Sequence, residues 1–275
     1  MRKVLVAGSA ALCALSLLCG CGAKNDNKES SPTVNAATAA TSAAPTVTPT
    51  EATEKGVYGT DGQFKTYSVN GEVVSVTGVD VSSYSGDIDW QRVKEAGIGF
   101  AMVRLGGRGY GDEGALYSDD RALEYISGAQ AAGIQTGGYF FSQATSPEEA
   151  REEAAFCREL LGTLTLDYPI AYDWEFIKDD DARTDGMTVE QTTACAKAFC
   201  DEVKACGMTP MLYAGDDEFT AKYDLTQLSD VEIWHCEYAD TPNAPYPIGM
   251  WQYSKTAVVD GIDGSADLDL RIKGH

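Results

Sequence analysis

Pro169-Ile-Ala-Tyr-Asp-Trp-Glu175 reads as a buried strand that ends on two carboxylates. Residues two apart on a strand face the same way, with about 6.5–7 Å between their Cα atoms. Asp173 and Glu175 are therefore expected side by side at one strand end, with Trp174 turned away. Such a pair suits cleavage of a glycosidic bond. One carboxyl must stay protonated to donate to the leaving oxygen, while the other stays ionised to stabilise or position the sugar. An isolated D-x-E is more often an ordinary strand end running into a polar loop. The surrounding chain decides between these readings.

Working outward, strands and helices alternate around this segment. Upstream, Val76–Ser82 reads as a strand and Asp89–Gly97 as a helix with Trp90, Val93 and Ala96 on one face. Phe100–Gly106 is apolar on both faces, as a parallel strand covered by helices should be. A helix over about Asp119–Ala132 leads to the strand Gln135–Ser142. The next helix starts with Ser146 as N-cap, Pro147 at the first helical position and Glu149 closing a capping box, and it runs to Leu161. Downstream, Thr188 and Gln191 open a further capped helix that ends at Gly207, and Thr209–Gly215 is the fifth strand. After that the rhythm changes. Val231–Tyr238, Ile248–Ser254 and Ala266–Arg271 read as strands joined by loops, with at most a short helix around Glu218–Tyr223. The fold class expected is α/β: an irregular TIM-like (β/α) barrel of about eight strands, with helices missing after the fifth strand. A flavodoxin-like open sheet is the competitor, but it would leave the last three strands uncovered.

In barrels of parallel strands the working residues sit at the C-terminal strand ends. Those ends give Asp80, then Arg104, then Tyr139 with Phe141, then Asp173 with Glu175. Tyr213 ends the fifth strand, Trp234 and Tyr238 mark the sixth, Trp251, Gln252 and Tyr253 the seventh, and Asp267 or Asp269 the eighth. Singly, each aromatic is more simply a packing residue. As a set, acids interleaved with aromatics favour a carbohydrate groove, because ring faces pack on sugars and carboxylates accept from hydroxyls.

The N-terminus sets the compartment. Met1-Arg-Lys3 and the apolar run Val4–Leu18 make a signal segment too short to span as a mature helix. Leu18-Cys-Gly-Cys21 matches a bacterial lipoprotein box, so cleavage after residue 20 and lipidation of Cys21 are expected. Residues 21–55, rich in Ala, Thr, Ser and Pro, cannot bury enough apolar surface to order themselves and read as a lipid-anchored linker. Extended, such a tether reaches on the order of 100 Å. Residues 56–76 form a leader hairpin turning at Asn70-Gly71, and 77–275 form the barrel. The expected location is the extracellular face of the bacterial cytoplasmic membrane, within the wall.

Charge and cysteines exclude several classes. The formal net charge is −21, which makes nucleic acid a poor partner, since counterion release needs Lys and Arg. Cys157, Cys195, Cys200, Cys206 and Cys236 are an odd set that cannot form a complete disulfide framework. Structural or free thiols, or one disulfide, are the options. Cys195 and Cys200 are off helical ligand spacing, and His235-Cys236 adds no recognised zinc pattern. No metal and no cofactor is therefore expected. A magnesium or calcium site from Asp80, Asp173 and Asp267 is chemically conceivable, but it would hold Asp173 ionised and crowd out a sugar.

Several segments together resemble the glycoside hydrolase family 25 lysozymes. They are Gly78-Val-Asp-Val-Ser-Ser-Tyr-Ser-Gly-Asp-Ile-Asp-Trp90, Val103-Arg-Leu-Gly-Gly-Arg-Gly-Tyr110, Gly138-Tyr-Phe-Phe-Ser-Gln143, Tyr172-Asp-Trp-Glu175, Pro210-Met-Leu-Tyr213, Met250-Trp-Gln-Tyr-Ser254 and Val259-Asp-Gly-Ile-Asp-Gly264. The resemblance covers essentially all of 77–271 in order. It implies an N-acetylmuramidase acting on the β-1,4 bond between N-acetylmuramic acid and N-acetylglucosamine, with peptidoglycan glycan strands as partner. A monomer is expected. By position, the resemblance makes Glu175 the proton donor and Asp173 the residue that orients the substrate acetamido group or stabilises charge. Asp80 and Asp267 become the remaining acids. Tyr139, Tyr213, Trp234, Tyr238, Trp251, Gln252, Tyr253 and Arg104 would bind substrate.

Two departures from the family pattern stand out. The last strand carries Asp267-Leu-Asp269 where Asp-x-Asn is usual, and Trp234-His235-Cys236 replaces Trp, an apolar residue and Ala. A chitinase-like hydrolase is the competing enzyme reading, but its further acids would fall where Tyr168 and Ala171 stand. A non-catalytic peptidoglycan-binding protein on the same scaffold is the competing reading from another class.

Overall fold

Asn70 and Gly71 take φ angles of 54° and 82°, the left-handed backbone a two-residue hairpin turn requires. They join the pairs Ser68↔Val73 and Val69↔Glu72. The computed structural model describes residues 56–178 and 180–272. The signal segment, Cys21, the linker and His275 lie outside the described residues. The leader is a three-stranded antiparallel sheet rather than a single hairpin: β1 (Val57–Asp61), β2 (Phe64–Val69) and the two-residue β3 (Glu72–Val73).

The barrel begins with β4 (Ser75–Val81) and α1 (Trp90–Glu95), followed by β5 (Phe100–Arg108). A short β6 (Leu116–Ser118), not foreseen in the sequence, folds back antiparallel on β5. Then come α2 (Ala122–Ala131), β7 (Gln135–Phe141), α3 (Pro147–Leu161), β8 (Ile170–Asp173), α4 (Val189–Ala205) and β9 (Pro210–Gly215). The last part holds α5 (Asp216–Lys222), β10 (Glu232–Cys236), β11 (Met250–Ala257) and β12 (Ala266–Ile272). Hydrogen bonding runs β4-β5-β7-β8-β9-β10-β11-β12 and returns to β4, so eight strands close on themselves. The open-sheet competitor is excluded by that closure.

One expectation needs correcting. Seven of these strands are parallel, but β12 is antiparallel to both β11 and β4. Its first residues, not its last, therefore lie at the end where the other strands finish. Asp267 pairs in register with Asp80, which puts both acids at that end.

Two apolar layers hold the barrel. Phe100, Met102, Ala171, Met211, Trp234 and Met250 form one buried cluster within the barrel. The other sides of the same strands (Val79, Val103, Phe140, Tyr172, Leu212) join residues of α2, α3 and α4 in the larger cluster. This is why β5 and β8 read as continuously apolar. Gly78 is required by this packing, since a Cβ there would lie 2.3 Å from the Phe100 ring. The leader covers β11 and β12, two of the strands without helices. Tyr58 meets the Trp251 ring edge-on at 5.5 Å, the Tyr253 hydroxyl accepts from the Lys65 backbone N–H at 3.4 Å, and β2 packs on β4 and β12.

The capping signals divide. Thr188 and Gln191 make the reciprocal box. Ser146 accepts from the Glu149 N–H, but the Glu149 carboxylate does not return to the cap. It accepts from Thr145 and from Arg183, which ties the loop after β8 to the start of α3. The five cysteines are unpaired, with Cys157, Cys195 and Cys200 buried.

Candidate active site

At the end of the barrel where the parallel strands finish lies a groove of about 360 Å³. Asp80 comes from β4, Asp173 from the last position of β8, Glu175 two residues beyond it, and Asp267 from the start of β12. Tyr139, Tyr213, Trp234 and Tyr238 line the walls, with Gln252 and Lys255 from β11. The strand ends thus bring together four acids and four aromatics. Trp174 is turned away and buried against Phe176 and Tyr223, as alternation requires.

Gln252 organises the floor. Its Nε2 donates to Asp80 Oδ2 at 2.7 Å. Its Oε1 accepts from the Tyr213 and Tyr238 hydroxyls at 3.0 and 3.1 Å, with the Cys236 thiol beside it at 3.0 Å. Asp269, wholly buried one strand pitch below, accepts from Trp234 Nε1 at 2.8 Å. Tyr139 and Tyr213 meet the Trp234 ring edge-on at 6.0 and 4.7 Å.

Five carboxyls this close cannot all ionise easily. Burial, and next the Asp267 charge, push Asp80 up to about 8 against the pull of its Gln252 bond. Asp173 is held well above the usual carboxylate range by burial and then by the Glu175 and Asp80 charges. Glu175 is exposed overall but turns its carboxyl into the groove. It is raised by loss of water and by the Glu218 charge. Burial raises Asp267, moderated by Lys255, and burial with the Asp80 charge raises Asp269 strongly. The group titrates as a set, and within it Asp80 keeps its proton near neutral pH.

Three of the sequence-derived residues do not face the groove. Trp251 is fully buried on the outer side of β11, donating from Nε1 to the Glu237 carbonyl at 2.8 Å, and Tyr253 packs beside it against the leader. Consecutive strand residues alternate sides, so of Trp251, Gln252 and Tyr253 only the middle one can point inward. Arg104 flanks the groove but is engaged by Asp119 at 2.7 Å and Ser83 Oγ at 3.2 Å, with the Tyr84 ring 4.9 Å away. Lys255 was not anticipated. Register shifts after Gln252 and Ser254 re-aim the strand, as bulges do, and bring Lys255 5.1 Å from the Tyr238 ring.

The family profile described as "Glycosyl hydrolases family 25" matches residues 79–262. The chain belongs to glycosyl hydrolase family 25. Among curated members, the autolytic lysozyme of Clostridium acetobutylicum is 29% identical over 193 residues, covering 70% of this chain and 54% of that protein. Lysozyme M1 of Streptomyces globisporus is 28% identical over 219 residues, covering 70% and 66%. The chain thus spans between half and two thirds of the length of these relatives. Among solved structures, a bacterial lysozyme from Streptomyces coelicolor superposes with a TM-score of 0.58 at 25% identity, covering 72% of this chain and 92% of that one. The modular autolysin LytC from Streptococcus pneumoniae gives 0.63 at 22% identity, covering 78% and 51%, and shares the fold.

In this family 25 barrel, the proton-holding acids couple stability to pH. Asp80 binds its proton up to about pH 8 when folded but releases it near 4 when unfolded. Buried Glu153 behaves likewise, raised to about 7 by burial despite its bonds to Ser142 and Arg108. Between these limits the folded state holds more protons, so stability falls as pH rises. Melting temperature is expected to decline from pH 5 to pH 8. Asp80→Asn should flatten part of that decline. A wild-type melting temperature that climbs over this range would contradict the assignment.

Proposed function

We propose that the chain is a peptidoglycan hydrolase, an N-acetylmuramidase that cleaves the β-1,4 bond between N-acetylmuramic acid and N-acetylglucosamine. One observation carries the reading: Asp173 and Glu175 stand at the same end of the barrel in a groove walled by aromatics, beside Asp80 and Asp267, and burial raises every one of these carboxyls. The curated relatives are lysozymes by name, and LytC was solved with a synthetic peptidoglycan ligand.

In this proposal Glu175 donates its proton to the glycosidic oxygen as the bond to the muramic acid C1 breaks. Its place at the groove mouth gives it access to the leaving oxygen. Positive charge builds on C1 and the ring oxygen. Asp173, deeper and only 4% exposed, accepts from the acetamido N–H and holds that group beside C1. Water then adds to C1, and its proton restores Glu175. The Glu218 and Asp267 charges oppose ionisation of Glu175, and Gln252 holds Asp80 in place. Tyr139, Tyr213 and Tyr238 offer rings and hydroxyls to the sugars, and buried Trp234 backs Tyr139 and Tyr213. Incubating purified peptidoglycan with the protein is expected to raise the count of reducing ends steadily. Tight binding with no new ends would instead mark a wall-binding protein.

The remaining proposal concerns place. The charged and apolar start of the chain and Leu18-Cys-Gly-Cys21 support export, cleavage before Cys21, and a diacylglycerol on its thiol. The linker to residue 55 then holds the barrel within reach of the wall. Wild type is expected to partition with membranes, and Cys21→Ala to appear in the medium or as an uncleaved precursor. Fully soluble, unlipidated wild type would overturn the anchor.

A further inference from the structure

His235 occupies a position where the family pattern has an apolar residue, and its ring is wholly buried on the outer side of β10. Trp234 and Cys236 on either side face the groove residues instead. The imidazole Nδ1 is fixed by the Tyr246 hydroxyl at 3.1 Å. This leaves Nε2 facing two carboxylates, Glu237 Oε2 at 3.2 Å and Asp216 Oδ1 at 3.5 Å. Those three atoms all lie within 4.8 Å of one another. Glu237 is itself held, accepting from the Asn243 N–H at 2.7 Å.

We infer that Asp216, His235 and Glu237 form a binding site for a divalent transition cation of the zinc class, separate from the glycan groove. Metal bonds of about 2.0–2.2 Å in tetrahedral geometry place ligand atoms roughly 3.3–3.6 Å apart, and the two imidazole–carboxylate distances lie at or near that range. Charge points the same way. A neutral imidazole with one ring proton can satisfy only one of two carboxylates, whereas a dication between them balances both. The imidazole favours zinc, copper, iron or nickel, whereas carboxylates alone would suit magnesium, calcium or manganese. The ring nitrogen not facing the carboxylates has the Tyr246 hydroxyl as its partner, which can fix the ring as the outer hydrogen bond of a histidine ligand does. Access is available, because Asp216 and Asn243 border an open surface depression of about 800 Å³, where water can complete the fourth position. The bound ion would tie the first residue of α5 to the end of β10 and, through Asn243 and Tyr246, to the long β10–β11 connection. Cysteine spacing did not reveal this site, since Cys236 faces the other side and one ligand comes from a different element.

The test is titration of cobalt(II) into the full chain after chelator treatment and gel filtration. The expected result is saturable visible absorption of a low-coordinate nitrogen–oxygen site at one ion per chain, bleached by zinc. No thiolate charge-transfer band should appear. Asp216→Asn, at an exposed position, and Glu237→Gln should each weaken binding roughly tenfold or more, and His235→Leu should abolish it. Zinc should raise the melting temperature of wild type by several degrees and leave Asp216→Asn nearly unmoved. No absorption, a thiolate band, or equal affinity in wild type and Asp216→Asn would overturn the assignment.

Discussion

Glu175→Gln is expected to lower the turnover of peptidoglycan by at least about a hundredfold, since general acid catalysis contributes typically 10²–10⁴-fold. The amide keeps the size and shape of the side chain and removes the proton to be donated. Glu175 lies past the last residue of β8 and is exposed overall, so the fold and melting temperature should change little. Two further signs would separate loss of the acid from loss of binding. Affinity for the polymer should persist, and substrates with an activated leaving group, which need less protonation, should be spared part of the loss. Turnover close to wild type would remove Glu175 as donor.

Asp173→Asn should cut turnover comparably through kcat, with binding retained. Asp173 is buried in the groove, and among the described residues its Oδ1 has no hydrogen-bond donor. A buried acceptor left open costs roughly 1–3 kcal/mol, which an acetamido N–H would relieve. Asparagine still offers an oxygen to the acetamido N–H but cannot take on negative charge as positive charge builds at C1, so the loss falls on the transition state. A defect confined to KM would make Asp173 a simple binding residue.

How far such residues could be read in advance depended on the kind of signal each left. The apolar runs of β5, β7 and β8, and the capped helices between them, required covered parallel strands, and the D-x-E pair follows from strand alternation alone. The reversal of β12 left a weaker trace, because alternation reads the same in both directions. Its signal was the connection: residues 258–265 between β11 and β12 are hairpin length, too short for a parallel crossover of a dozen or more residues. A groove position for Trp251 and Tyr253 runs against the alternation that places Gln252 there. Lys255 depended on bulges that no local pattern announces. The hub role of Gln252 and the depth of Asp269 were invisible for a different reason, since each is defined by partners on other strands. The loss of outer helices was legible, but its consequence was not. Only the structure shows the leader sheet covering β11 through Tyr58 and Lys65.

The central claim is the bond that is cut, and the sugar left at the new reducing end reports it directly. Purified wall digested by the protein, reduced with borohydride and examined by mass spectrometry should show muramic acid alcohols at the new chain ends, accumulating with time and absent with Glu175→Gln. New ends carrying reduced N-acetylglucosamine, or no new ends at all, would contradict the account.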